Sequence, residues 1–120
     1  MSLTFYTGDC RLSISQVADS RLLIALAGRD LGQLGRRPFD ALEDRIGGGT
    51  ALELYFDLRS ATGATLEATS SWALWLRKQR ARLAHVHMLT ARPVITLSAK
   101  SIQRFAGLGD AGQIYVSRPR

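Results

Sequence analysis

The sequence predicts one α/β domain built on a small mixed, mostly parallel sheet with crossover helices, in the order β-β-α-β-α-β-α-β. Three observations predict it. Extended segments crowd the N-terminal third, apolar residues recur at helical spacing from Pro38 onward, and two apolar runs, Leu52 to Leu58 and Ala84 to Leu89, alternate with the helical stretches. The chain has 120 residues, 46% of them apolar, which suffices for one modest core. A single domain is expected over residues 1–116, with residues 117–120 as a flexible basic tail.

Each element has its own local signal. Leu3-Thr4-Phe5-Tyr6-Thr7 and Leu12-Ser13-Ile14-Ser15 alternate or carry β-branched and aromatic residues, and Gly8-Asp9 supplies a turn between them. Arg21 to Ala27 reads as a strand ending at Gly28, so the early segments form a hairpin in the simplest arrangement. Phe39, Leu42 and Ile46 then share one helical face, Pro38 suits a helix start, and Gly47-Gly48-Gly49 ends the helix. The triple glycine lacks the Gly-Lys-Ser/Thr continuation of a phosphate loop and follows a helix, so it reads as a connector.

Leu52 to Leu58 is apolar enough to be a central strand covered on both faces. The longest helix is expected from Leu66 to Leu83, with Ala68, Trp72, Trp75, Leu76 and Leu83 on one side. Ala84 to Leu89 is the next strand. Pro93 opens a last helix in which Val94, Leu97, Ile102 and Phe105 keep the helical period, Gly107 stops it, and Ile114-Tyr115-Val116 makes the final strand.

Composition narrows the function classes. No run approaches the roughly 20 apolar residues that cross a bilayer, and the N-terminus lacks a basic-then-apolar leader, so a cytoplasmic location is expected. Cys10 is the only cysteine and reads as a small residue near a strand end. The formal charge of +6 permits contact with nucleic acid or acidic proteins without requiring it. No Gly-x-Ser-x-Gly, His-Glu-x-x-His or dinucleotide fingerprint is present, and no motif calls for a cofactor.

The loop and helix start after the central strand gather Asp57, Arg59, Ser60, Thr62, Thr65, Glu67, Thr69 and Ser70. Ligands and partners usually meet an open α/β sheet at the carboxyl ends of its strands, and helix N-termini there favour anions. A plain structural account also fits, with Thr65 as an N-cap and Glu67 as a first-turn acid. Asp57 is the first candidate for a role beyond capping. Arg77, Lys78, Arg80 and Arg82 either complement the helix dipole or, with Arg36 and Arg37, form a basic surface. Trp72 and Trp75 suit the core by period, or a partner anchor if exposed. His85 and His87 point to one face of their strand, but two ligands make a poor zinc site.

Leu12-Ser13-Ile14-Ser15, then Leu22 to Gly28 followed by Arg29-Asp30-Leu31, and Leu54-Tyr55-Phe56-Asp57-Leu58-Arg59 resemble the opening and central strands of the STAS family. These are the domains of anti-sigma-factor antagonists and of the cytoplasmic tails of sulphate-type anion transporters. The resemblance runs from about Leu12 to Val116 and sets Asp57 at the family's aspartate position. It implies a regulatory domain that binds a protein partner, a kinase or another regulator. The departure from the pattern is as informative. The antagonists begin the helix after the central strand with an Asp-Ser pair whose serine is phosphorylated, and Thr65-Leu66-Glu67-Ala68 stands there in this chain. Leu66 has no hydroxyl, so the phosphoserine does not carry over, while Thr65, Thr69 and Ser70 lie nearby. The chain is therefore similar to a divergent bacterial branch that also resembles CRAL-TRIO lipid-binding domains.

The expected function is a non-catalytic regulatory interaction module whose partner surface surrounds Asp57 and the start of the Trp-bearing helix. Binding of nucleic acid or an anionic membrane surface, binding of a small apolar ligand in a cleft, and self-association remain open from the residues alone.

Overall fold

In the computed structural model, which describes residues 2–46 and 51–117, one mixed sheet carries three helices. The strands β1 (Ser2–Thr7), β2 (Cys10–Ala18) and β3 (Arg21–Asp30) form an antiparallel meander, one strand more than the expected hairpin. Helix α1 (Arg37–Ile46) leads to β4 (Leu52–Asp57), and a short strand β5 (Ala61–Ala64) precedes α2 (Leu66–Gln79). Then come β6 (Leu83–Thr90), α3 (Pro93–Phe105) and β7 (Gly112–Val116). The sheet order is β1-β2-β3-β4-β6-β7, with β5 paired to the far end of β3.

From β3 onward all pairings are parallel, and each helix-bearing connection steps the same way across the sheet, the helix-free link from β4 back to β5 beside β3 apart. Right-handed crossovers taken in one direction place every helix on the same face. That geometry corrects the expectation for β4. Leu52, Leu54 and Phe56 are buried beneath the helices, while Glu53, Tyr55 and Asp57 face the opposite, uncovered side and remain partly accessible. The single core joins Leu12, Ile14, Leu22 and Ile24 of the meander to Leu54, Val86, Met88, Leu42, Trp75 and Leu76.

The helix expected to reach Leu83 ends at Gln79, and a 3₁₀ turn, Arg80–Arg82, redirects the chain into β6. Arg80 stabilises this exit by donating to the carbonyls of Leu83 at 3.1 Å and Leu108 at 3.5 Å. Leu83 matched the helical period because it is buried, but it is buried from the strand. A second correction concerns α3. Val94, Leu97 and Phe105 are 54%, 65% and 69% exposed, whereas Ile95 and Ala99 are buried and Ile102 packs against the core. The helix carries two apolar stripes, and only one is used internally.

Gly47-Gly48-Gly49 lies outside the described residues, as does the tail beyond Ser117, whose own N–H donates to the Thr90 carbonyl at 2.7 Å. No described helix is long and apolar enough to cross a membrane.

Candidate functional site

The residues singled out after β4 divide between the two faces of the sheet. Asp57, at the end of β4, lies on the uncovered face, where it lines a shallow depression with Thr4, Tyr6, Arg11, Ser13 and Ser60. Its carboxylate receives both arms of the Arg59 guanidinium, at 3.0 and 2.9 Å, and the Arg59 backbone N–H at 3.2 Å. Ser60 contributes its carbonyl to the Gly28 N–H at 3.0 Å. The Arg59 side-chain bond holds the Asp57 carboxyl below its ordinary value; partial burial opposes this, and the backbone bond and the guanidinium charge add to it.

A carboxylate with a depressed folded pKa contributes stability above its unfolded pKa and loses it as pH falls through the folded value. The pair is partly solvated, with side chains 53% and 29% exposed for Arg59 and Asp57, so the contribution is below about 1 kcal/mol. Asp57→Asn is expected to flatten the loss of stability below about pH 4 by that small amount. Urea unfolding of parent and variant at pH 3 and pH 6 measures it, and an unchanged pH dependence would count against the pair.

Thr65, Glu67, Thr69 and Ser70 belong to the helical face. Thr65 is the N-cap of α2, its Oγ1 accepting from the Ala68 N–H at 3.1 Å, while its own N–H donates to the Asp30 carbonyl at 2.9 Å. Thr62 is exposed on β5 and Glu67 on the first turn of α2, whereas Thr69 and Ser70 line a groove between α2 and α3. This groove has a volume of about 640 Å³. Its floor is made of small residues, Ala64, Thr69, Ala73, Ser98 and Ser101, and its walls of Leu66, Leu74, Val94, Leu97 and Phe105. All five wall residues are more than half exposed, Leu66 as much as 82%.

Asp30 organises the neighbourhood from within. It is buried, yet both oxygens are engaged: Oδ1 accepts from the Gly32 N–H at 2.9 Å, and Oδ2 from Trp72 Nε1 at 3.3 Å. With its carbonyl holding Thr65, one residue at the end of β3 fixes both the start and the middle of α2. Sequence reasoning passed over Asp30, and also over Val94, Leu97 and Phe105 as surface residues. For Asp30 the available signal was an acid two residues after Gly28, at the end of a largely apolar strand.

On the other side of α2 lies a second cleft, of about 760 Å³, between α1 and α2. Phe39, Trp72 and Trp75 pack edge to face or stacked beneath it, with centroids 4.7 to 6.3 Å apart, and Trp75 Nε1 donates to Glu43 Oε1 at 3.0 Å. Trp75 is buried and Trp72 half-buried. Of the expected basic group, Arg77, Lys78 and Arg82 are exposed, whereas Arg80 is committed to main-chain carbonyls. Arg36 pairs with Asp40 and Glu43, and Arg37 donates to Thr7 and Leu34.

His85 and His87 do share the uncovered face. His87 stacks between Tyr55, at 4.7 Å, and Tyr115, at 6.0 Å, with its Nδ1 3.2 Å from the Tyr115 hydroxyl. Among the described residues no cluster of three or more His, Cys, Asp or Glu side chains is placed to hold a metal. Cys10 is buried, and burial, followed by the charges of Asp30 and Asp9, pushes its thiol pKa up.

A three-strand antiparallel meander continuing into β-α-β crossovers, with all helices on one face and an Asp-containing strand end beside an N-capped helix, defines a STAS-like, SpoIIAA-like fold. Solved structures bear this out. The chain is similar to an uncharacterised protein of the DUF3478 family with a SpoIIAA-like fold from Shewanella loihica PV-4, at 14% identity, covering 96% of this chain and 90% of that one with a TM-score of 0.64. It is also similar to SiaC of Pseudomonas aeruginosa, at 12% identity, covering 99% of both chains with a TM-score of 0.63. No family model and no curated protein matches the sequence.

Proposed function

We propose that this domain is a non-catalytic regulatory module that binds a protein partner on its α2–α3 face. One observation carries the reading: five large apolar side chains, each more than half exposed, converge on one groove beside the N-capped start of α2. Scattered exposed apolar residues are ordinary, but a contiguous patch rimmed by polar groups marks an interaction surface. The SpoIIAA-like fold of the similar Shewanella loihica protein, together with the resemblance of the strands to those of STAS domains, supports a regulatory reading. Thr69 and Ser70 line the same groove, and Glu67 is exposed beside Leu66 on the first turn of α2, which supports reading these residues as the polar part of the partner surface. Asp57 and Arg59, facing the other side, serve the fold as a closed ion pair in this reading.

The test is recovery of a protein partner by cross-linking from cells, comparing the parent with a Leu66→Ser, Leu97→Ser double variant. Both side chains are exposed, so the variant is expected to keep its melting temperature within a few degrees. Partner recovery should fall at least about tenfold, equivalent to about 1.4 kcal/mol of lost binding. Equal recovery from equally folded proteins defeats the proposal, and so does a partner that proves to be nucleic acid lost at moderate salt.

A further inference from the structure

We infer that the α2–α3 groove receives one amphipathic helix of the partner protein, apolar toward the groove and acidic along its flanks. This rests on the reading of that face as a docking surface and adds the kind of segment that docks.

Shape favours a helix over a strand. The two walls are α-helices whose backbone groups are already bonded within themselves, so the groove presents no free sheet edge for an extended peptide to pair with. Small residues on the floor let a third helix approach closely, while Leu74, Leu97 and Phe105 stand beside it as ridges. The 14 residues of α2 and 13 of α3 rise about 20 Å, the length of a guest of about four turns.

Charge selects the guest. Arg77 lines the groove, and Lys100 and Arg104 flank Leu97 along the outer edge of α3; none of the three belongs to an ion pair among the described residues. Helix α3 contains no acidic residue, and α2 contains only Glu67. For the same reason a second copy of α2 or α3 is an unsuitable guest. The acidic helix of this chain, α1, already spends its apolar face, Phe39 and Leu42, on its own core.

Direction follows from the crossovers. Both helices return against parallel strands and so run parallel to each other, which brings Arg77 and Arg104, each in a last turn, to the same end of the groove. Acidic residues stabilise the first turn of a helix. A guest running antiparallel to α2 and α3 therefore sets its acidic first turn against Arg77 and Arg104.

The test uses three sets of 18-residue peptides that share an apolar stripe, built in turn from Leu, Ile or Met, and carry Glu, Gln or Lys on the flanks. Binding is followed on the whole domain by backbone amide shifts. The Glu set is expected to bind at least about tenfold tighter than the Gln set, to lose affinity with added salt, and to shift amides of α2 and α3. An Arg77→Glu, Arg104→Glu double variant should prefer the Lys set. No binding by any set, equal binding by all three, shifts confined to the uncovered sheet face, or displacement of the peptides by laurate or anionic vesicles each overturns the inference. If no peptide binds while the Leu66→Ser, Leu97→Ser variant still loses its partner, the docking face stands and the helical guest falls.

Discussion

Gly28→Ala is expected to destabilise the domain by at least about 3 kcal/mol, and Gly8→Ala by only about 1 kcal/mol, although both glycines have positive φ. The two positions separate conformational strain from collision. Gly8 has φ +60° with open space where a Cβ would stand, so only the left-handed conformation opposes alanine. Gly28, at φ +84°, would set its Cβ 1.8 Å from the Asp9 carbonyl oxygen and 2.7 Å from its carbon. Backbone would have to move, because no flexible side chain is there to give way. The displacement would also strain the Gly28 N–H bond to Ser60 and the β3–β5 pairing that begins at Gly28. Guanidinium unfolding of both variants provides the check; a Gly28→Ala variant no less stable than Gly8→Ala would contradict the close approach.

The second large effect is expected at Trp75. Trp75→Ala should cost about 3–5 kcal/mol, the range for deleting a large buried aromatic. Trp75 is 3% exposed, stacks on Phe39 at 5.8 Å and meets Trp72 edge to face at 6.3 Å. Its indole N–H also reaches Glu43, tying α2 to α1 across the cleft that separates them. Trp75→Phe retains most of the apolar contact and loses that bond, so about 1–2 kcal/mol is expected. Urea titrations followed by circular dichroism discriminate the two. Equal losses would show that packing contributes nothing beyond the bond to Glu43.

Periodicity exposed the elements but not how each used its faces. The helix start at Pro38, the β4 run and the Pro93 helix were legible because local alternation and capping residues act over a few positions. The α2 end was not, since Leu83 keeps the helical period of α2 but is buried as the first residue of β6, after the 3₁₀ turn Arg80–Arg82 has redirected the chain. In α3 the stripe containing Leu97 and the stripe containing Ile95 carry the same apolar signal, and only the packed sheet decides which is inside. The candidate residues lie on two separate surfaces for a related reason. Asp57 and Thr69 are near in sequence, but β5 and strand alternation send their side chains to opposite sides of the sheet.

The amino-acid order alone thus determined the α/β class, the order of most elements and the Thr65 cap, all consequences of steric and hydrogen-bonding preferences among near neighbours, whereas the strand expected to end at Gly28 continues to Asp30 because β5 pairs with it there. Tertiary structure alone decided that one sheet face stays bare, that Asp30 anchors α2 through Trp72 and Thr65, and that α2 and α3 leave an apolar groove between them. Burial depends on which surfaces meet, and surfaces meet only after crossovers of fixed hand have stacked all three helices on one side.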